Sequence, residues 1–310
     1  MPDLTTYIGK LKLKNPVMVA SGTFGYAKEF ADFMDLKALG GLVTKTITLR
    51  PRQGNPAPRT CETAAGMLNS IGLENPGLEV FIREKLPDLK KIGVPLIVSI
   101  ASEDNPKEFV TLAKELNQIN EVAALELNIS CPNVSSPKSE FQSPRLISQD
   151  PKATYNVVRA VRKVTKKPLI TKLSPNVTDI VEIAQAASRA GTDAISLVNT
   201  FYALGIDIDS RRPKLGNGIG GLSGPAIKPM ALKMAYDVAK NIDLPVIGMG
   251  GIMNTNDALE FIIAGASAVC IGTANFINPR ASIEIIAGIK KYMLKNKIKN
   301  IKNLIGSLKI

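Results

Sequence analysis

The stretch Val122–Asn133, VAALELNISCPN, is the one from which the fold is read. Val122, Leu125 and Leu127 make a short apolar run, and the chain then turns polar through Asn128, Ser130, Cys131 and Asn133. This pattern reads as a buried strand that spills into a polar loop. In α/β folds binding and catalytic groups gather at that edge, because the sheet holds the loop from below while the loop itself is free to vary. Cys131, an ionisable thiol just past the strand end, is therefore a candidate catalytic acid/base.

Working outward, similar runs begin near Val17 (VMVAS), Gly41 (GLVTKT), Pro95 (PLIVSIA), Pro168 (PLITKLS), Ala194 (AISLVNT), Pro245 (PVIGMGG) and Ser267 (SAVCIGT), eight in all with Val122. Helical stretches fill several intervals, including Asn105–Leu116, Lys152–Val164, Asp179–Ala190, Pro225–Asn241 and Asn256–Ala264. Asn176-Val-Thr-Asp and Asn254-Thr-Asn-Asp are helix start signals. Eight strand–helix alternations, with strands apolar on both faces, predict an α/β fold of parallel strands closed as a (β/α)8 TIM barrel. A doubly wound open sheet is the alternative, but its GxGxxG fingerprint is missing.

Successive strand starts lie 24, 54, 27, 46, 26, 51 and 22 residues apart, so insertions follow strands 2, 4 and 6. Each follows the C-terminal end of its strand, the face where barrels keep their chemistry. TYIGKLKL (Thr6–Leu13) predicts an N-terminal β-hairpin turning at Gly9. The polar stretch Ser135–Ser143 is read as a mobile lid. No second domain or low-complexity linker is visible, so residues 1–310 are read as one domain.

Composition removes several mechanisms. With no histidine in 310 residues there is no Ser-His-Asp triad, histidine metal ligand or imidazole shuttle, and proton transfer falls to Cys, Lys, Tyr or a carboxylate. Cys61, Cys131 and Cys270 are too widely spaced for a disulfide framework or a paired-cysteine metal motif, so no metal site is expected and a reducing compartment is implied. Cys61 and Cys270 are read as small buried hydrophobes. The charged N-terminus lacks an apolar run long enough for a signal peptide or membrane span, which places the protein in the soluble, cytoplasmic class.

The net charge is +12, from 39 basic and 27 acidic residues, but seven lysines lie from Lys290 onward, where no acidic residue occurs. Leu294, Ile298, Ile301, Ile305 and Leu308 recur there at helical spacing, predicting a lysine-rich amphipathic helix at about 290–310. A solvated helix docked on the core is the plain reading, and contact with nucleic acid or a membrane surface is the alternative.

Several motifs sit at the predicted strand ends. Gly248-Met-Gly-Gly-Ile252 and Gly272-Thr273 close the last two strands, where barrels usually bind phosphate. Glycine also marks ordinary tight turns, but two glycine loops at the right two strands favour the anion. Lys45 and Lys172 end two other strands, and each must meet either an anionic ligand or a local carboxylate, because an unpaired buried charge is costly. Asn69, Asn128, Asn133 and Asn199 add amides that suit a planar heterocycle bearing imide and carboxylate groups. For Cys131 the choice is between a small buried hydrophobe and a proton-transfer thiol. Its polar setting beyond a strand favours the latter.

The motifs SGTFGYAKEF (Ser21–Phe30), KTIT (Lys45–Thr48), GNPAPR (Gly54–Arg59), GMLNSIGLENPG (Gly66–Gly77), LELNISCPNV (Leu125–Val134), KLSPNVTDI (Lys172–Ile180), NGIGGLSGPAIKP (Asn217–Pro229), GMGGI and ASAVCIGTANF (Ala266–Phe276) resemble those of class 1 dihydroorotate dehydrogenase catalytic subunits. The match runs almost end to end. SGTFGY, MLNSIGL, LSPNVTDI and GGLSGPAIKP resemble the NAD-linked subclass rather than the stand-alone fumarate-dependent one.

The resemblance implies an FMN-containing barrel that oxidises dihydroorotate to orotate in pyrimidine biosynthesis. It makes Cys131 the base at C5 of the substrate while hydride passes from C6 to FMN. It places Lys45 between flavin and substrate, and Lys172 beside the negative charge of reduced flavin. Ser21, Thr46, Ser99, Asn128, Val198, Gly224, Gly250, Gly251, Gly272 and Thr273 match flavin-contacting positions, the last four around the phosphate. Asn69, Ser70, Ile71, Gly72, Leu73, Asn128, Asn199 and Thr200 match the substrate loops, with Asn133 beside them.

Physical logic agrees, because no side chain accepts hydride and a cofactor must carry that half of the reaction. Electrons would reach NAD through an iron–sulfur flavoprotein partner subunit carrying FAD and a 2Fe–2S cluster, in a heterotetramer of two catalytic and two electron-transfer chains. Three scattered cysteines could not ligate a cluster that needs four. After NISCPNV the subclass has a glycine-containing lid, whereas this chain has SSPKSEFQSPRLIS.

Two rivals remain at this point. An FMN-dependent tRNA dihydrouridine synthase would suit the basic charge, but no helical RNA-binding domain is visible. A non-enzymatic barrel binding nucleic acid or anions would need neither Cys131 nor a flavin.

Overall fold

The computed structural model describes residues 1–102, 105–131 and 146–309. The eight apolar runs become β1 (Val17–Val19), β2 (Gly41–Val43), β3 (Leu96–Ile100), β4 (Val122–Asn128), β5 (Leu169–Lys172), β6 (Ala194–Leu197), β7 (Val246–Met249) and β8 (Ala266–Ile271). They form one closed barrel in which every strand pairs in parallel with its sequence neighbours and β8 closes on β1. Strand alternation sorts the side chains. Val17, Val19, Leu125, Leu127, Val269 and Ile271 face the surrounding helices, while Met18, Ala124, Ile170, Ile247 and Ala268 fill the interior. Both faces are buried, which is why these runs read as continuously apolar.

The helices fall where the sequence placed them: Lys107–Asn117, Pro151–Arg162, Ile180–Ala190, Lys228–Asn241 and Thr255–Ala264. Asp179 accepts from the backbone N–H groups of Val181 and Glu182, and Asn254 from those of Asn256 and Asp257, so each satisfies donors that the first turn leaves open. The N-terminal hairpin pairs Thr6–Ile8 with Leu11–Leu13 around Gly9, whose φ of 56° is the left-handed conformation a tight turn needs. Ile8 and Leu13 join the interior cluster and plug the N-terminal end of the barrel.

Two insertions meet in a way the sequence does not announce. Thr60–Thr63 and Gly66–Asn69, after β2, pair with Gly220–Ser223 and Phe201–Ala203, after β6, in a four-stranded antiparallel sheet at the C-terminal mouth. Glycine is required where backbones approach closely, since a Cβ on Gly66 would lie 2.0 Å from the Ser223 carbonyl oxygen. The stretch Ser135–Ser143, read as a lid, lies outside the described residues, as does Asn133.

The helix expected at about 290–310 is corrected. The helical segment is Ala281–Lys295, and it ends as Lys297 adopts a left-handed φ of 56° while Ile298 N–H returns to the Met293 carbonyl. This is a Schellman-type stop without the usual glycine. A 3-10 turn at Ile301–Asn303 follows, with Ile301 and Leu304 buried against the core. The N-terminus stitches it down, since Asp3 N–H donates to the Lys299 carbonyl and Ile301 N–H to that of Asp3.

Leu13→Ala should destabilise the chain by about 2–5 kcal/mol in urea unfolding, because it opens a cavity in the barrel plug. A loss under about 1 kcal/mol would mean that the hairpin does not seal the interior.

Candidate active site

The C-terminal ends of the strands surround a cavity of about 320 Å³. Met249 and Cys270 floor it from inside the barrel, and the two inserted hairpins wall it with Thr60, Met67, Asn69 and Ser223. Of the residues matched to cofactor contact, Ser21, Lys45, Thr46, Asn128, Lys172, Val198, Gly224, Gly250, Gly251, Gly272 and Thr273 line it. Ser99 does not. It is fully buried one layer behind, 2.8 Å from the hydroxyl of Thr46. Of the substrate positions, Asn69, Ile71, Gly72, Leu73, Asn128, Asn199 and Thr200 line the cavity, whereas the Ser70 side chain is buried and accepts from Asn55 Nδ2 at 2.8 Å.

The glycines after β7 and β8 serve different ends. Gly250 and Gly251 have φ of 122° and 73°, and a Cβ on Gly251 would come 2.8 Å from the Lys228 backbone nitrogen, so the fold itself demands glycine. Gly272 has no left-handed φ, and a Cβ there would reach nothing in the protein nearer than Ala20 Cβ at 3.7 Å. The space it keeps open belongs to the cavity. Bare backbone at a barrel rim is the kind of surface on which N–H groups can approach an anion closely. Thr273 Oγ1 donates to Ser223 Oγ at 2.8 Å and ties this rim to the inserted sheet.

Across the barrel, the end of β4 carries a connected polar group. Asn128 Nδ2 donates to Thr46 Oγ1 at 3.0 Å, Ser130 Oγ to Asn128 Oδ1 at 3.2 Å, and Asn199 Nδ2 to Ser130 Oγ at 3.0 Å. Asn199 Oδ1 in turn accepts from the Thr200 N–H at 2.8 Å, so each amide is held in one orientation. The Asn69–Leu73 loop is rigid as well: Arg52 Nε donates to the Gly72 carbonyl at 3.0 Å, and Asn75 Nδ2 to that of Leu73 at 2.7 Å.

Cys131 is half-buried on the cavity wall, opposite the β8 loop in an eight-strand ring. Beside it stands Tyr202 from the inserted sheet, a neighbour that sequence reading missed. Burial pushes its phenol up to about 12, and the negative charge of Cys131 adds to that rise. Lys172 is 4% exposed and donates from Nζ to Ser21 Oγ at 3.0 Å. Among the described residues neither Lys45 nor Lys172 forms a direct ion pair with a carboxylate. Cys270 is buried as expected, and burial drives its thiol pKa far up. Cys61, expected buried, is corrected to a half-buried position on the rim strand Thr60–Thr63, where its Sγ donates to the Glu62 carbonyl.

Glycine turns after strands seven and eight, facing a half-buried thiol across the mouth of a closed barrel, are the arrangement in which barrel enzymes commonly take a phosphate-bearing ligand. The dihydroorotate dehydrogenase family model matches residues 3–293. The dihydroorotate dehydrogenase B (NAD(+)) catalytic subunit of Geotalea daltonii is 53% identical over 309 residues, covering 100% of this chain and 99% of the relative. The subunit of the same name from Thermoanaerobacter pseudethanolicus is 51% identical over 308 residues, covering 99% of each. Among solved structures, DHODH from Eimeria tenella in complex with ferulenol shares the fold, with a TM-score of 0.80 at 24% identity over 99% of this chain and 89% of that one. The chain belongs to the dihydroorotate dehydrogenase family.

In protein stripped of ligand, Gly251→Ala should cost at least about 1 kcal/mol in thermal unfolding, since it meets both positive φ and backbone. Gly272→Ala should stay within about 0.5 kcal/mol of the parent. Equal losses would remove the assignment of Gly272 to a ligand.

Proposed function

We propose that this chain is a single-domain catalytic subunit that oxidises dihydroorotate to orotate on FMN bound at the barrel mouth. The observation that carries this reading is Cys131, set on the cavity wall opposite the open glycine cradle, in a chain about half identical to full-length relatives of that name. The residues present fit FMN. The open space at Gly272, with Gly250, Gly251 and Thr273, suits a phosphate, and the adjoining cavity wall with apolar Met249 and Val198 suits a flat ring. Lys172 supplies a positive charge for the ring edge. Neither rival reading from the sequence draws support from the comparisons.

FMN, when bound, supplies the hydride acceptor that no side chain provides. The chain's own residues do the rest. Cys131 removes the proton from C5 of the substrate, so that a carbon–hydrogen bond breaks toward sulfur while its neighbour at C6 gives up hydride. Asn69, Asn128 and Asn199, with Asn133 and the Ser70–Leu73 loop, orient the ring by its imide and carboxylate edges. Lys45 holds the substrate against the flavin, and Ser99 acts through Thr46. The inserted sheet and Tyr202 exclude water from the thiol.

NAD is reached through a partner, consistent with relatives named as catalytic subunits. We assign FAD and a 2Fe–2S cluster to that partner, in a cytoplasmic heterotetramer of two catalytic and two electron-transfer chains. Among the described residues no helix is long and apolar enough to cross a membrane.

Cys131→Ser should retain FMN yet lose most of the single-turnover flavin reduction at neutral pH, a fall of about 10²–10⁴-fold, as for loss of a general base. Near-parental reduction would remove Cys131 from the mechanism. Lys45→Ala should both weaken substrate binding and slow reduction in stopped flow, and unchanged rates would contradict its placement. A phenol raised to about 12 stays protonated through neutral pH, so Tyr202 is not the group behind a rise in rate between pH 6 and 9. Tyr202→Phe should keep that limb. Its disappearance would make Tyr202 the titrating group.

A further inference from the structure

Glu126 has no part in the chemistry above. It lies on β4 two residues before Asn128, and strand alternation turns it, like Ala124, into the barrel interior. It is 1% exposed. Its Oε2 accepts from Ser196 Oγ on β6 at 3.1 Å, while Oε1 is buried with no hydrogen-bond partner. A carboxylate oxygen left in this state costs stability, and an apolar residue would avoid that cost.

Among the described residues, three charged side chains are buried: Glu126, Lys172 and Asp257. Asp257 is held among the outer helices by Lys228 Nζ at 2.7 Å. Glu126 and Lys172 remain, facing the same interior from adjacent strands. Asn128 pairs with Lys172 and Glu126 with Ile170, so Lys172 stands one step nearer the mouth. Ser196, the donor to Glu126, is itself the register partner of Lys172 across β5 and β6. The Cys270 thiol feels both charges, since Glu126 adds to the upward push of burial and Lys172 opposes it. The carboxylate thus lies one step beneath the cavity wall that Lys172 lines, and a low-dielectric interior between them strengthens their mutual field.

We propose that Glu126 is a positioning residue whose buried carboxylate is the counter-charge of Lys172 and sets how much positive field Lys172 presents to the cofactor pocket. This rests on the reading that Lys172 faces bound FMN. A carboxylate below partly cancels the ammonium, so oxidised and reduced flavin are held with less bias toward the reduced, more negative form. Removing the carboxylate charge leaves Lys172 uncompensated and favours the reduced form.

The test is the midpoint potential of FMN in the purified holoenzyme, measured by spectroelectrochemical titration. Glu126→Gln should favour reduced over oxidised flavin about tenfold relative to the parent, which is about 30 mV upward for a two-electron couple. Lys172→Gln should move the potential down, and Glu126→Asp, which keeps the charge, should stay near the parent. An unchanged potential in Glu126→Gln beside a lowered one in Lys172→Gln overturns the role of Glu126 and leaves the reading of Lys172 intact. No shift in either variant overturns the placement of Lys172, and the inference with it. If Glu126→Gln fails to fold, the infrared difference spectrum of the parent on flavin reduction decides. A carboxylate stretch that moves in Glu126→Asp supports the pairing, and a spectrum without one overturns it.

Discussion

Closure of the barrel is the constraint on which everything else depends. Eight parallel strands hydrogen-bonded in a ring must deliver their C-terminal ends to one rim, and side chains from Ser21 to Thr273 meet there only because β8 pairs with β1. Closure satisfies the strand edges and leaves each strand two buried faces, so the rim is the one place where polar groups can gather without an unpaired backbone. The N-terminal hairpin seals the other end with Ile8 and Leu13.

Within that rim the two halves work by different physics. The strand seven and eight side uses bare backbone, where Gly272 keeps space that no protein atom needs. The strand four side uses side chains fixed by each other, from Thr46 through Asn128 and Ser130 to Asn199. Each net hydrogen bond contributes about 1 kcal/mol to stability, but the larger consequence is that every amide in the group is held in a fixed orientation. Charge follows the same division. Lys172 lines the cavity with Glu126 one step beneath it, and their effects on Cys270 oppose each other.

Much of this was legible from residue order. Strands buried on both faces show as apolar runs, and side-chain caps at Asp179 and Asn254 mark helix starts, so the barrel and its order could be read directly. Cys131, the two lysines and the glycine loops stood out because each is an unusual residue at a strand end. What escaped depends on contacts distant in sequence. The inserted sheet pairs Asn69 with Gly221, and its glycine-rich strands carry little β signal of their own. Tyr202 reaches the thiol only through that sheet. Ser99 sits a layer too deep because Thr46 stands in front of it. The C-terminal helix stops early since Lys297 takes a left-handed turn that its residue type does not advertise. Glu126 was hidden inside LELN, where one charge among apolar neighbours leaves its facing to be settled by strand register.

In the proposed chemistry this barrel mouth holds FMN and passes it the electrons of dihydroorotate. That chemistry is tested most directly by anaerobic titration of the purified chain with dihydroorotate while the visible flavin absorbance is followed. Bleaching that is complete at about one equivalent of substrate per bound flavin is the predicted result. A chain that purifies colourless and does not take up FMN, or a bound flavin that dihydroorotate leaves oxidised, would contradict the account.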